Sequence, residues 1–188
     1  MQTPFLGAVN LGHYEIVDFL KDDPKYLTFK GEWGNAAFRS MVEARPKIYH
    51  LVKDKVGEQN FKIETGLANV EASNLFQPLQ HNCSIGSLEL VSALFQLKEG
   101  VVNLINSKRK DFNAVRLAVR SGNPDLVQFL IHKGADLGTT YGSKSETVLH
   151  YAANEGLPSI IRILVHAGIE INVQDARGMT PLYTAVLA

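Results

Sequence analysis

The sequence is short of several things that would narrow its function. It has a single cysteine and a single tryptophan among 188 residues, and neither charge is in excess: 19 Lys and Arg stand against 19 Asp and Glu. One cysteine excludes a disulfide framework and a multi-cysteine zinc site within the chain. Neutrality removes the electrostatic footprint of a nucleic-acid or anionic-membrane binder, so neither partner is expected. No window approaches the roughly 18 continuous apolar residues of a membrane span. The start, Met1-Gln2-Thr3-Pro4-Phe5, has neither the charged region nor the apolar run of a signal peptide. With 45% hydrophobic and 20% charged residues the composition is globular. These absences together suggest a soluble protein of a reducing compartment, such as the cytoplasm or the nucleus.

Motifs that carry chemistry are equally scarce. There is no Gly-rich phosphate loop, no His-Glu-x-x-His and no nucleophile elbow. No cofactor and no enzyme activity are therefore expected. The six histidines, His13, His50, His81, His132, His150 and His166, are scattered, and none lies four residues from another, so metal binding has no support in the spacing. His81-Asn82-Cys83 is the nearest thing to a reactive cluster, but helix neighbours point in different directions. Cys83 reads as a small buried hydrophobe. Asn82-Cys83-Ser84 matches a glycosylation sequon yet falls at a close-packed helix position. Lys108-Arg109-Lys110 is a small basic run that fits either a solvated tip or an anion contact.

What the chain does have is a repeat. Asp175-Ala176-Arg177-Gly178-Met179-Thr180-Pro181-Leu182-Tyr183-Thr184-Ala185 has its counterpart 33 residues earlier in Thr147-Val148-Leu149-His150-Tyr151-Ala152-Ala153. Starts at residues 3, 35, 77, 113, 147 and 180 give spacings of 32, 42, 36, 34 and 33. Thr3, Asn35, Asn113, Thr147 and Thr180 are N-cap residues, and Pro4, Pro78 and Pro181 suit the first helical position, where no N–H is needed. Gly12, Gly86, Gly122 and Gly156 then end a short helix nine residues after each start, with Ala44 breaking the series. A second helix follows, and Leu20, Val52, Leu94, Leu130 and Leu164 close its apolar stripe. Each unit is helix, tight turn, helix.

In these residues the sequence resembles the ankyrin repeat. The likeness is fullest from Thr147 through Gly156, Ile160-Ile161, Leu164, Gly168 and Ile171-Asn172, and His132-Lys133-Gly134-Ala135-Asp136 ends the preceding unit in the same style. The units at Asn35 and Gln77 depart from it. The resemblance implies an all-α fold, an α-solenoid of helix-turn-helix units with short β-hairpin fingers, forming one ankyrin-repeat domain over residues 1–188. The 53–76 stretch reads as an insertion, apolar enough at Phe61, Ile63, Leu67, Val70 and Leu75 to pack on its neighbours or to serve as a docking element. The late Gly100 suggests an extended second helix in the unit before it. The sixth unit stops at Ala188 before its second helix, which suggests an incomplete repeat with more sequence beyond.

The resemblance also implies the function: binding of a protein or peptide partner, as a monomer, through the concave face of the first helices and the fingers. Carried over by position, the partner-binding candidates are Trp33, Arg39, Glu43, Phe76, His81, Phe112, Arg120, Tyr151, Asn154 and Arg177. Trp, Tyr and Arg are the side chains that most often anchor interfaces. Phe76 and Phe112 precede helix starts and can instead pack as staples on their own units. Asn172 sits at the hairpin position that the family exposes to asparaginyl hydroxylation, and Asn106 matches it less closely; both can equally bond their own turns. The alternative is a targeting domain of a larger enzyme, channel or secreted pathogen effector, placed in the host cytoplasm, whose activity lies beyond Ala188.

Overall fold

The computed structural model describes residues 3–23, 36, 39–41, 43–56, 75–97, 100–107 and 113–188. Trp33, Phe112, the basic run at 108–110 and positions 57–74 of the expected insertion lie outside the described residues. Among the described residues the named elements are all helices: α1 Pro4–Leu11, α2 Tyr14–Leu20, α3 Pro46–Val56, α4 Phe76–Ser84, α5 Leu88–Leu97, α6 Val101–Ile105, α7 Ala114–Ser121, α8 Pro124–His132, α9 Val148–Asn154, α10 Pro158–His166 and α11 Pro181–Leu187. The chain forms two compact units, one of residues 1–82 with 89–101 and one of residues 83–88 with 102–188.

Each helix pair follows from its punctuation. In the first unit the Thr3 hydroxyl accepts the Leu6 N–H at 3.3 Å and caps α1. At the other end Gly12 is left-handed, with its N–H donating to Val9 and that of His13 donating back to Ala8. Ala44 breaks the glycine series only in residue type. Its φ is 50°, and its own and Arg45's N–H groups donate to Met41 and Ser40 in the same pattern. The turn is therefore kept, at a steric cost of about 1–2 kcal/mol for a side chain in that conformation. Helix α1 packs on α2 and α2 on α3, burying Phe5, Val9, Val17, Ile48 and Val52.

One expectation is corrected in the middle of the chain. Helix α4 begins at Phe76, with Leu75 in a 3₁₀ turn before it, so Pro78 stands in the first turn and not at the first position. That position is still free of any need for an N–H. Helix α5 runs to Leu97, the expected extension at 98–99 lies outside the described residues, and the short α6 follows Gly100. Val101 and Ile105, one turn apart on α6, are both buried.

The second unit holds the most regular repeats. The Asn113 side chain caps α7 by accepting from the Arg116 N–H at 2.9 Å, and Asn123 caps α8 by accepting from the Asp125 and Leu126 N–H groups. Helix α7 packs on α8 and α9, and α9 packs on α10 and α11. The small residues Ala114, Ala118, Ala152 and Ala153 are buried at these contacts, alongside Leu126, Leu130, Leu149, Ile160 and Leu164. The expected hairpin fingers are reduced, among the described residues, to one antiparallel bridge between Tyr141 and Glu146.

Candidate functional site

The second unit positions its polar side chains by the same 3.6-residue period that builds its core. On α7, Ala114, Val115, Ala118 and Val119 face inward, which turns Arg116, Leu117 and Arg120 outward. On α9, Val148, Leu149, His150, Ala152 and Ala153 are buried, which leaves Tyr151, Asn154 and the following Glu155 on the outer side. Arg116, Leu117, Arg120 and Tyr151 line a shared hollow of about 390 Å³. The Arg116 guanidinium lies over two rings, 4.9 Å from the centroid of Tyr141 and 5.8 Å from that of Tyr151. Such contacts hold a cation by the ring quadrupole without neutralising it. Burial is the main force on the Tyr141 phenol and pushes its pKa well above the ordinary value, so the ring is neutral.

Below this face, buried polar groups fix the repeat. His150 Nε2 lies 2.9 Å from the Met179 carbonyl and must donate to it, which leaves Nδ1 as the acceptor for the Thr147 N–H at 3.2 Å and the Thr147 hydroxyl at 2.9 Å. Asp175 organises the last finger: its Oδ1 accepts from the Arg177 and Met179 N–H groups, and its Oδ2 accepts from the Arg177 guanidinium at 2.8 Å and 3.0 Å. Burial raises the Asp175 pKa, but these backbone and guanidinium bonds outweigh it and hold the carboxyl below its ordinary value. Arg177 also reaches Glu146 at 3.1 Å, and the Ala176 N–H donates to the Lys144 carbonyl, so adjacent fingers are clamped together.

The sequence candidates separate on these positions. Arg120 and Asn154 are exposed on the outward sides of α7 and α9, and Tyr151 is half-buried between them and Arg116. In the first unit Arg39 and His81 are exposed, and Glu43 lies in the turn ahead of Ala44. Phe76 is a correction: as the first residue of α4 it is 6% exposed and belongs to the core, so the packing role holds for it and the surface role does not. Arg177 is drawn into the finger clamp and offers a partner only what Asp175 and Glu146 leave over. Asn172 is exposed, whereas the Asn106 amide is committed to the Gly134 carbonyl and the Asp136 N–H. Asn82 is fully buried with its amide N–H donating to Met41, out of reach of any glycosylating enzyme, and burial pushes the neighbouring Cys83 thiol up to about 12. Sequence reasoning missed Arg116 and Tyr141. The four-residue spacing of Arg116 and Arg120 on the polar side of α7 was the available signal for the first.

A profile of ankyrin repeats in many copies matches residues 114–164 and 149–188. Residues 114–188 are ankyrin repeats. Their first helices are α7, α9 and α11, and the hollow beside Arg116 lies between the first two ankyrin units of that stretch. Part of the chain is also similar to the phosphocholine transferase AnkX of Legionella pneumophila, 32% identical over 140 residues. That match covers 72% of this chain but only 14% of AnkX.

Proposed function

We propose that this chain is a non-catalytic recognition module that binds a protein or peptide partner through the outward side of its first helices and its fingers. The observation that carries the proposal is the array of Arg120, Tyr151 and Asn154 on successive first helices, held outward by fully buried neighbours on the same helices. Side chains on such a rigid support lose little conformational entropy on binding. Ankyrin repeats generally bind proteins, and the buried caps and finger clamps below this face serve rigidity, not turnover. A monomer in the cytoplasm suffices for this role.

Affinity capture from lysate, read by mass spectrometry, tests the proposal. The bait is the full chain beside two folded variants, one with Arg120, Tyr151 and Asn154 changed to Ala and one with Arg39 and His81 changed to Ala. A protein retained by the unaltered chain and lost by the first variant supports the reading. Equal retention by all three baits removes the first-helix face as the site.

The likeness to AnkX favours a second reading, in which the repeats are the targeting part of a longer protein, such as a secreted effector acting in a host cytoplasm, with its activity elsewhere in the sequence. A catalytic domain encoded in the same reading frame beyond Ala188 supports this reading. A stop codon within the next repeat or two contradicts it.

A further inference from the structure

We propose that the hollow beside Arg116 and Arg120 receives an acidic peptide segment in extended conformation, with carboxylates at alternate positions. The inference rests on the partner-binding reading above and narrows the partner's chemistry. Its basis is an imbalance of charge confined to one face. Arg116 and Arg120 share the hollow, and neither has an ion pair among the described residues. Arg116 is steadied by the Tyr141 and Tyr151 rings, which fix its direction without neutralising its charge.

Three carboxylates of the same unit, those of Asp136, Glu146 and Glu155, are already engaged. Asp136 accepts from the Gly138 N–H at 2.8 Å and from the Thr139 hydroxyl at 3.0 Å. Glu146 pairs with Arg177, and Glu155 accepts from the Asn154 amide at 3.2 Å. A chain of zero net charge thus holds two guanidinium groups open on one helix face.

Spacing selects the form of the ligand. Residues four apart on a helix have Cβ atoms about 5–6 Å apart. Same-side residues of an extended chain recur about every 6.5 Å, at every second position. A Glu-x-Glu or Asp-x-Asp segment therefore sets one carboxylate on each guanidinium, in the planar geometry that arginine satisfies with two N–H donors. Tyr151 supplies an aromatic wall for the residue between. The zero net charge of the chain argues against a polyanion such as RNA, whose binding needs many phosphate contacts.

The test is selection from a random dodecapeptide display library against the full chain, against Arg116→Gln/Arg120→Gln, and against Arg116→Lys/Arg120→Lys, each checked for its fold by circular dichroism. Expected from the unaltered chain is enrichment of Asp or Glu at positions two apart. The enriched peptides should bind the glutamine variant at least about tenfold more weakly and the lysine variant at an intermediate strength. Enriched peptides without acidic pairs, selection unchanged in the glutamine variant, no enrichment at all, or tighter binding of a 12-nucleotide oligouridylate than of any peptide would each overturn the proposal. The lysate experiment fails independently: a captured partner lost by the Arg120, Tyr151 and Asn154 variant but carrying no acidic segment leaves the first-helix face standing and removes only the acidic class.

Discussion

His150 and Met179 are joined across 29 residues by a hydrogen bond of 2.9 Å from the imidazole Nε2 to the main-chain carbonyl. The same ring accepts from Thr147 at the start of its own helix, so one buried side chain caps α9 and anchors the strand of chain that leads into α11. His150→Ala removes both links and leaves a void and unpaired groups in a fully buried site. The expected loss is about 2–4 kcal/mol, read from urea unfolding by circular dichroism. A loss below about 0.5 kcal/mol would contradict the role of the ring as a bridge between units.

Ala44 occupies the left-handed turn position that glycine fills in the other units, with φ of 50°. Ala44→Gly relieves the contact between Cβ and the following carbonyl but frees the unfolded chain. The net gain expected is about 0.5–1 kcal/mol in thermal or urea unfolding. Destabilisation would show that the alanine methyl contributes packing that outweighs its strain.

Among the described residues the buried Tyr141 hydroxyl has no hydrogen-bond partner, while its ring supports Arg116. Tyr141→Phe keeps the ring and removes the stranded polar group. Stability is expected to rise by about 1 kcal/mol, with peptide selection at the neighbouring hollow unchanged. A lower melting temperature would indicate that the hydroxyl is satisfied in solution.

Asp175 has a folded-state pKa below its ordinary value of 3.8. A depressed carboxylate contributes stability in full above the unfolded value and loses it as pH falls through the folded one. Asp175→Asn should therefore destabilise the last finger at pH 7, and the difference from the unaltered chain should shrink below pH 4 as the native carboxyl is protonated. A difference that stays constant from pH 7 to pH 2.5 would mean that the amide loses shape complementarity and not charge.

Much of the repeat was readable because its signals are local. Thr3, Asn113 and Thr180 accept from N–H groups three residues on, and Gly12, Gly122 and Gly156 take the left-handed turn their spacing implied. Phe76 was less readable, since a helix start displaced by one residue turns a side chain from the surface to the core. Ala44 looked like a defect because residue type alone hides a backbone conformation that its neighbours impose. The meeting of Arg116 with Tyr141, 25 residues apart, depends on how the intervening finger folds back, and no local pattern encodes it. The arrest of Arg177 by Asp175 and Glu146 belongs to the same class: the finger position was legible, but its internal ion pairs were not.

The most direct test of the recognition role is calorimetric titration of a captured partner into the full chain and into the folded Arg120→Ala/Tyr151→Ala/Asn154→Ala variant. If the first-helix face of the ankyrin units is the binding site, the Kd rises at least tenfold, a loss of about 1.4 kcal/mol or more. An unchanged Kd, with both proteins melting at the same temperature, would contradict the account.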